Sequence, residues 1–235
     1  MLNALLFGLL ASSALVVGGV IGAFYRPPRG AVAVVLAFAS GALISALATD
    51  LFAESFETGG AAVSGVGLLG GAAAFVVTDT LLDRYIEGAG SGVSGFALLA
   101  AVVLDGIPEN MALGVTLIQT SGTGALALLA AIFASNLPEA LGGAVSMREK
   151  GRSPTFAVAV WTATAVLLAL SVVAGNAVLS GAAPETLSVL LAFAGGAVLA
   201  SLADTLMPEA YRDGGPYVAF ATAAGFFVSF LLAEL

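Results

Sequence analysis

Apolar runs of roughly 20 residues recur along the whole chain, separated only by short turn-rich or charged interruptions. No other feature restricts the fold as strongly. At a rise of 1.5 Å per residue, each run is long enough for a helix to cross ~30 Å of hydrocarbon. A barrel would require short alternating segments instead. Composition agrees: 60% hydrophobic residues and 9% charged residues leave too little polar surface to cover a water-soluble globule of 235 residues. The sequence therefore predicts an all-α membrane protein, a single polytopic domain over residues 1–235 with the lipid bilayer as its solvent.

The interruptions divide the chain into eight predicted spans, near 2–24, 31–55, 64–86, 95–118, 123–147, 154–179, 185–209 and 216–234. The first has no basic residue ahead of it and is long for a signal peptide, so it reads as a retained helix. Arg26 and Arg29 follow the first span, Arg84 ends the third, Arg148, Lys150 and Arg152 follow the fifth, and Arg212 follows the seventh. All seven basic residues thus fall on one side, which places both termini outside the cytoplasm. The segment Gly41–Glu54 resembles Gly196–Glu209, and because spans two and seven run in opposite directions the similarity predicts an inverted repeat. The glycines Gly18, Gly19 and Gly22, and Gly67, Gly70 and Gly71, read as points of close helix packing. A net charge of -8 disfavours nucleic acid and favours cations. Its pI of about 4.3 and single lysine fit the cell membrane of a prokaryote from a salty habitat. There is neither Cys nor His, so thiolate and imidazole ligands are excluded.

Spans four and five contain Asp105-Gly-Ile-Pro-Glu109-Asn110 and Ser135-Asn136-Leu-Pro-Glu139. An ionised side chain at midspan costs at least ~2.5–3.5 kcal/mol, so such acids usually line a pathway or meet a partner. No Lys or Arg lies deep in any span, which leaves protonation, polar neighbours or an arriving cation as compensation. Spacing converges the oxygen donors: Asp105 and Glu109 share a helix face, as do Ser135 and Glu139, with Asn136 three residues before Glu139. Pro108 and Pro138 free the carbonyls of Leu104 and Ala134, and a metal ion or ordered water could satisfy them. Asp50 and Glu54 fall toward the outer end of span two, whereas Asp79, Asp204 and Glu209 fall toward cytoplasmic ends, extending a line of negative charge.

These paired Pro-Glu segments on consecutive spans, with Met207-Pro-Glu209 ending span seven, resemble the ZIP (Zrt/Irt-like) family of divalent metal-ion transporters over nearly the whole chain. The resemblance implies a metal site shared by spans four and five, import of zinc, iron, manganese or related ions, and a homodimer as a candidate assembly. Glu109, Asn136 and Glu139 match the family motif directly, whereas Asp105 and Ser135 match by position where His or another ligand is common. An all-oxygen cage favours manganese, iron(II) or magnesium on ligand chemistry, while the resemblance points to zinc. The metal is transported substrate, and no cofactor is implied.

The expected route runs from Asp50 and Glu54, through Asp105, Glu109, Ser135, Asn136 and Glu139, to Asp79, Asp204 and Glu209. A rival reading is a proton-coupled carrier or channel for another solute. An intramembrane carboxylate enzyme is weaker, because neither a Gly-x-Gly-Asp arrangement nor a Ser-His pair is present.

Overall fold

The computed structural model describes the backbone of residues 1–89, 94–119 and 124–234, and the side chains of those residues apart from 86–102, 105, 119 and 124. The helices are α1 (Leu2–Phe24), α2 (Arg29–Ala46), α3 (Ala53–Ala89), α4 (Ser94–Gln119), α5 (Gly124–Glu149), α6 (Pro154–Leu179), α7 (Pro184–Ser201), α8 (Met207–Gly214) and α9 (Val218–Ala233). One π-helical turn, Leu47–Phe52, joins α2 to α3, and another, Leu202–Leu206, joins α7 to α8. Among the described residues the protein is entirely helical apart from short connections.

Among the described residues, five helical stretches are long and apolar enough to cross a membrane: Leu2–Phe24, Arg29–Tyr85, Ala125–Glu149, Pro154–Leu179 and Pro184–Ala233. Two of these, of 57 and 50 residues, far exceed the roughly 20 that a crossing needs. The longer one turns at Gly60, whose φ of 71° and ψ of 177° no ordinary helical residue adopts. Ser55 Oγ and Ser64 Oγ are hydrogen-bonded at 2.8 Å. Nine residues of unbroken helix would set those serines about 13 Å apart, so the chain folds back between them. The other long stretch turns at Gly215, with φ 67° and ψ -163°. Gly215 stands to Gly196 as Gly60 stands to Gly41, so the likeness between the two segments extends to the glycine that ends each one.

Packing is close because many of the buried residues are alanine, serine or glycine. Helix pairs α2–α9, α3–α7, α1–α5, α1–α6 and α4–α6 form the main contacts, and at their centres lie glycines pressed on the facing backbone. A β-carbon at Gly41 would collide with the Thr222 carbonyl, and one at Gly225 with that of Phe38. The same reciprocal fit joins α7 to α3, Gly196 lying on Leu68 and Gly71 on Phe193. Elsewhere Gly18 and Gly22 of α1 lie on the Leu137 and Leu141 carbonyls of α5, and Gly114 and Gly175 interlock α4 with α6. Gly19 faces Trp161, whereas Gly70 has only the Phe193 ring near it, so it is not one of the packing contacts expected of it. In a bilayer, where apolar burial between helices gains little, such close approach is the main source of association. Many other large apolar side chains point outward, among them Val66, Leu69, Val178 and Phe220, while Trp161, Leu128 and Leu168 fill the interior.

Three fully buried hydroxyls tie the fold-back to α7. Besides its bond to Ser64, Ser55 Oγ donates to the Ser188 carbonyl at 2.8 Å, and Ser188 Oγ donates to the Ser55 carbonyl at 2.7 Å. Ser55→Ala removes the hydroxyl that joins Ser64 Oγ and the Ser188 carbonyl, keeps the bond from Ser188 Oγ to the backbone carbonyl, and is expected to destabilise the protein by about 1–2 kcal/mol. A thermal-melting measurement in detergent showing no shift would contradict that role.

Candidate functional site

Helices α4 and α5 each contain an internal proline, Pro108 and Pro138, one residue before a glutamate. Glu109 is 5% exposed, and its neighbour Asn110 is fully buried. On α5, Ser135 and Asn136 are buried and Glu139 is half-buried. Neither glutamate is isolated, since both interact with neighbouring groups. Ser135 Oγ donates to the Ile132 carbonyl at 3.0 Å, leaving its oxygen lone pairs as acceptors. Asn136 Nδ2 reaches the Ala11 carbonyl of α1 at 3.4 Å. The structure thus turns Glu109, Ser135 and Asn136 into the protein interior and away from lipid. Asp105 is placed on α4, but its side chain lies outside the described residues. Among the described residues no three acidic side chains gather closely enough to form a metal cage.

Asn110 is the residue that the sequence reading passed over. Its Nδ2 donates to the Gly106 carbonyl at 2.8 Å, which leaves Oδ1 buried with no hydrogen-bond partner. An amide oxygen held this way beside Glu109 is a neutral donor of the kind hard cations take. The only signal for it was its place directly after the Pro-Glu pair.

Behind each proline lies an apolar crevice. Leu137, Pro138 and Leu141 face Val35 of α2 across about 110 Å³. Ile107, Pro108 and Met111, which hold the same places relative to their proline, face Leu190 of α7 across about 270 Å³. Helices α4 and α5 therefore have corresponding surroundings, one against α7 and the other against α2.

The flanking acids divide into two groups. Asp50, in the first π-turn, is partly buried; Oδ1 accepts from Thr49 Oγ1 at 2.8 Å, its carboxylate lies against the Leu128 backbone of α5, and Oδ2 is buried without a hydrogen-bond partner. Glu54, one turn on, is also partly buried. Asp204, in the second π-turn, is exposed and lies within electrostatic reach of Asp79, as does Asp83. Glu209 is exposed and pairs with Arg212 at 3.8 Å, and Arg212 also binds Asp213 at 3.0 Å. That pairing, at the surface, sets Glu209 apart from the buried carboxylates.

No protein-family model and no curated protein matches this chain.

Proposed function

We propose that this protein carries divalent metal cations across a cell membrane, into the cytoplasm, as the resemblance to ZIP transporters implies. The observation that supports this most is the burial of Glu109, Asn110, Ser135 and Asn136 on two consecutive proline-kinked helices. Acidic and neutral oxygens turned inward on an apolar, membrane-crossing scaffold suit a desolvated hard cation. Glu139 and Asp105 complete the proposed donor set. The membrane topology proposed with this function has eight crossings and both termini outside. The five long stretches supply seven once those broken at Gly60 and Gly215 are each counted twice, and α4 supplies the eighth. The repeated segments run oppositely through the bilayer, which makes the repeat an inverted one.

The cation is proposed to collect at Asp50 and Glu54, to exchange its water for protein oxygens between α4 and α5, and to leave past Asp79, Asp204 and Glu209. No covalent chemistry is needed. Purified protein in vesicles should take up one or more of zinc, manganese, iron(II), cadmium and magnesium. The transported ion should also raise its melting temperature, because an ion that binds only the folded state stabilises it. Absence of both effects with every ion, with proton flux retained, would replace metal by a proton-coupled solute.

A further inference from the structure

Five of the seven basic residues of this acidic chain fall in two short segments, Arg26 and Arg29 in one, Arg148, Lys150 and Arg152 in the other, with Glu149 as the one acid among them. The fold brings the two segments to the same end of the bundle. Helices α1 and α5 pack side by side in one direction, Gly18 lying on the Leu137 carbonyl and Gly22 on that of Leu141, so Arg26, just past α1, emerges beside the last turns of α5. Arg29 opens α2. Arg26, Arg29, Lys150 and Arg152 are exposed and Arg148 is partly so. Basic loops at the ends of membrane helices are an ordinary orientation signal and by themselves mark no site. Here, however, they stand over the crevice between α2 and α5.

That crevice of about 110 Å³ begins at Pro27, between the two arginines of the first segment, and runs past Val32 and Val35 of α2 and Leu141 and Leu137 of α5 to Pro138. Its lining is wholly apolar. Ala31 and Val35 are exposed at its edge, so it opens on the outer surface of the helices. Leu137, Leu141 and Arg148 share one face of α5, and Arg148 stands about 10 Å beyond Leu141 along the helix. The loop after α5 holds its guanidinium groups in place: Arg148 Nη1 donates to the Arg152 carbonyl at 2.6 Å, and the Arg152 guanidinium lies 5.1 Å from the centre of the Phe156 ring. Arg29 is within electrostatic reach of Asp213 at the end of α8, which leaves Arg26, Arg148, Lys150 and Arg152 for the crevice. The counterpart crevice behind Pro108 differs in this respect. It reaches Leu179 and Leu190, and residues 176–190 contain no basic residue and one acid, Glu185.

We propose that the crevice between α2 and α5 binds an anionic phospholipid, with its phosphate at Arg26, Arg148, Lys150 and Arg152 and part of an acyl chain against Val35, Leu137 and Leu141. Arginine suits the phosphate because its planar fork bonds two oxygens at once, and basic pockets between membrane helices are where anionic headgroups are held. A free phosphate would gain nothing from the apolar lining, and a lipid without net charge would gain little from the excess of positive groups. The two halves of the site therefore select one kind of molecule. Because the crevice ends on Pro138, one residue before Glu139, the acyl chain lies against the helix that carries a proposed metal ligand. The site requires a membrane but no transported ion, so it goes beyond the transport reading and does not rest on it.

Purified protein in detergent, titrated with phosphatidylglycerol or with phosphatidylcholine of the same chains and read by native mass spectrometry, should hold the first at least tenfold more tightly. Arg26→Gln combined with Arg148→Gln should cut that preference at least fivefold, since each basic group near an anionic lipid is worth roughly fivefold in affinity. Arg84→Gln, at the far end of α3, should leave it unchanged. Val35→Trp fills the crevice and should weaken both lipids by a similar factor, with the preference kept; should it fail to fold, Ala31→Phe fills the same space from an exposed position. Glycerol phosphate, which has the headgroup without the chains, should not displace the lipid. Equal affinity for the two lipids in the parent protein, a preference unmoved by the double arginine variant or lowered as much by Arg84→Gln, binding indifferent to a filled crevice, or displacement by glycerol phosphate would each overturn the site. Binding is read without metal, so lipid held as expected by a protein that takes up no ion would keep this site and reject the cargo.

Discussion

Glu109→Gln and Glu139→Gln are each expected to lower metal uptake by at least about a hundredfold while the protein stays folded in the membrane. Glutamine keeps the size and one carbonyl oxygen of the side chain but removes the charge. Loss of a group that merely orients a ligand typically costs 10–100-fold, and loss of a charged ligand costs more, since affinity follows the deprotonated oxygen donors. The folded state gains or loses little, because a buried carboxylate is itself expensive to keep in an apolar interior. Uptake in vesicles, read beside a melting curve, separates the two effects. If both variants retained more than about half of the parent rate, the buried glutamates would not be the transport site. Asn110→Leu should fall between these extremes, because it removes a neutral oxygen and leaves both carboxylates.

Much of the fold was legible from helix length and interruption alone. The break at Glu57–Gly60 between the second and third predicted spans is where the chain turns back, and the reason is visible in the residue type: only glycine takes φ near 71° without strain. The likeness of Gly41–Glu54 to Gly196–Glu209 was also readable, and the structure extends it to local backbone form. The π-turns were not readable. Leu47-Ala-Thr-Asp-Leu-Phe52 contains neither proline nor glycine, and an inserted residue within a helix is decided by what the side chains meet on neighbouring helices. Partners distant in sequence were hidden for the same reason. Ser55 and Ser188 bond across a separation of 133 residues, and nothing in either local segment marks the other. Within the site, charge drew attention to Glu109 and Glu139, while Asn110, a neutral residue, emerged only once its burial and its unpaired oxygen were known.

The largest structural effect is expected at the reciprocal glycine contacts. Gly41→Leu and Gly196→Leu should each destabilise the protein by about 3 kcal/mol or more, because the obstacle is a carbonyl of the facing helix and not the end of a flexible side chain. Relief requires α2 to move away from α9, or α7 from α3, and each separation would undo the second contact of its pair, at Gly225 and at Gly71. Gly142, which has open space where a β-carbon would go, provides the control; Gly142→Ala should be neutral or slightly stabilising, since alanine is the better helix former. Melting curves of the three variants in one detergent decide the matter. A shift at Gly41 or Gly196 no larger than that at Gly142 would mean that the helices are not held at the distance these contacts define.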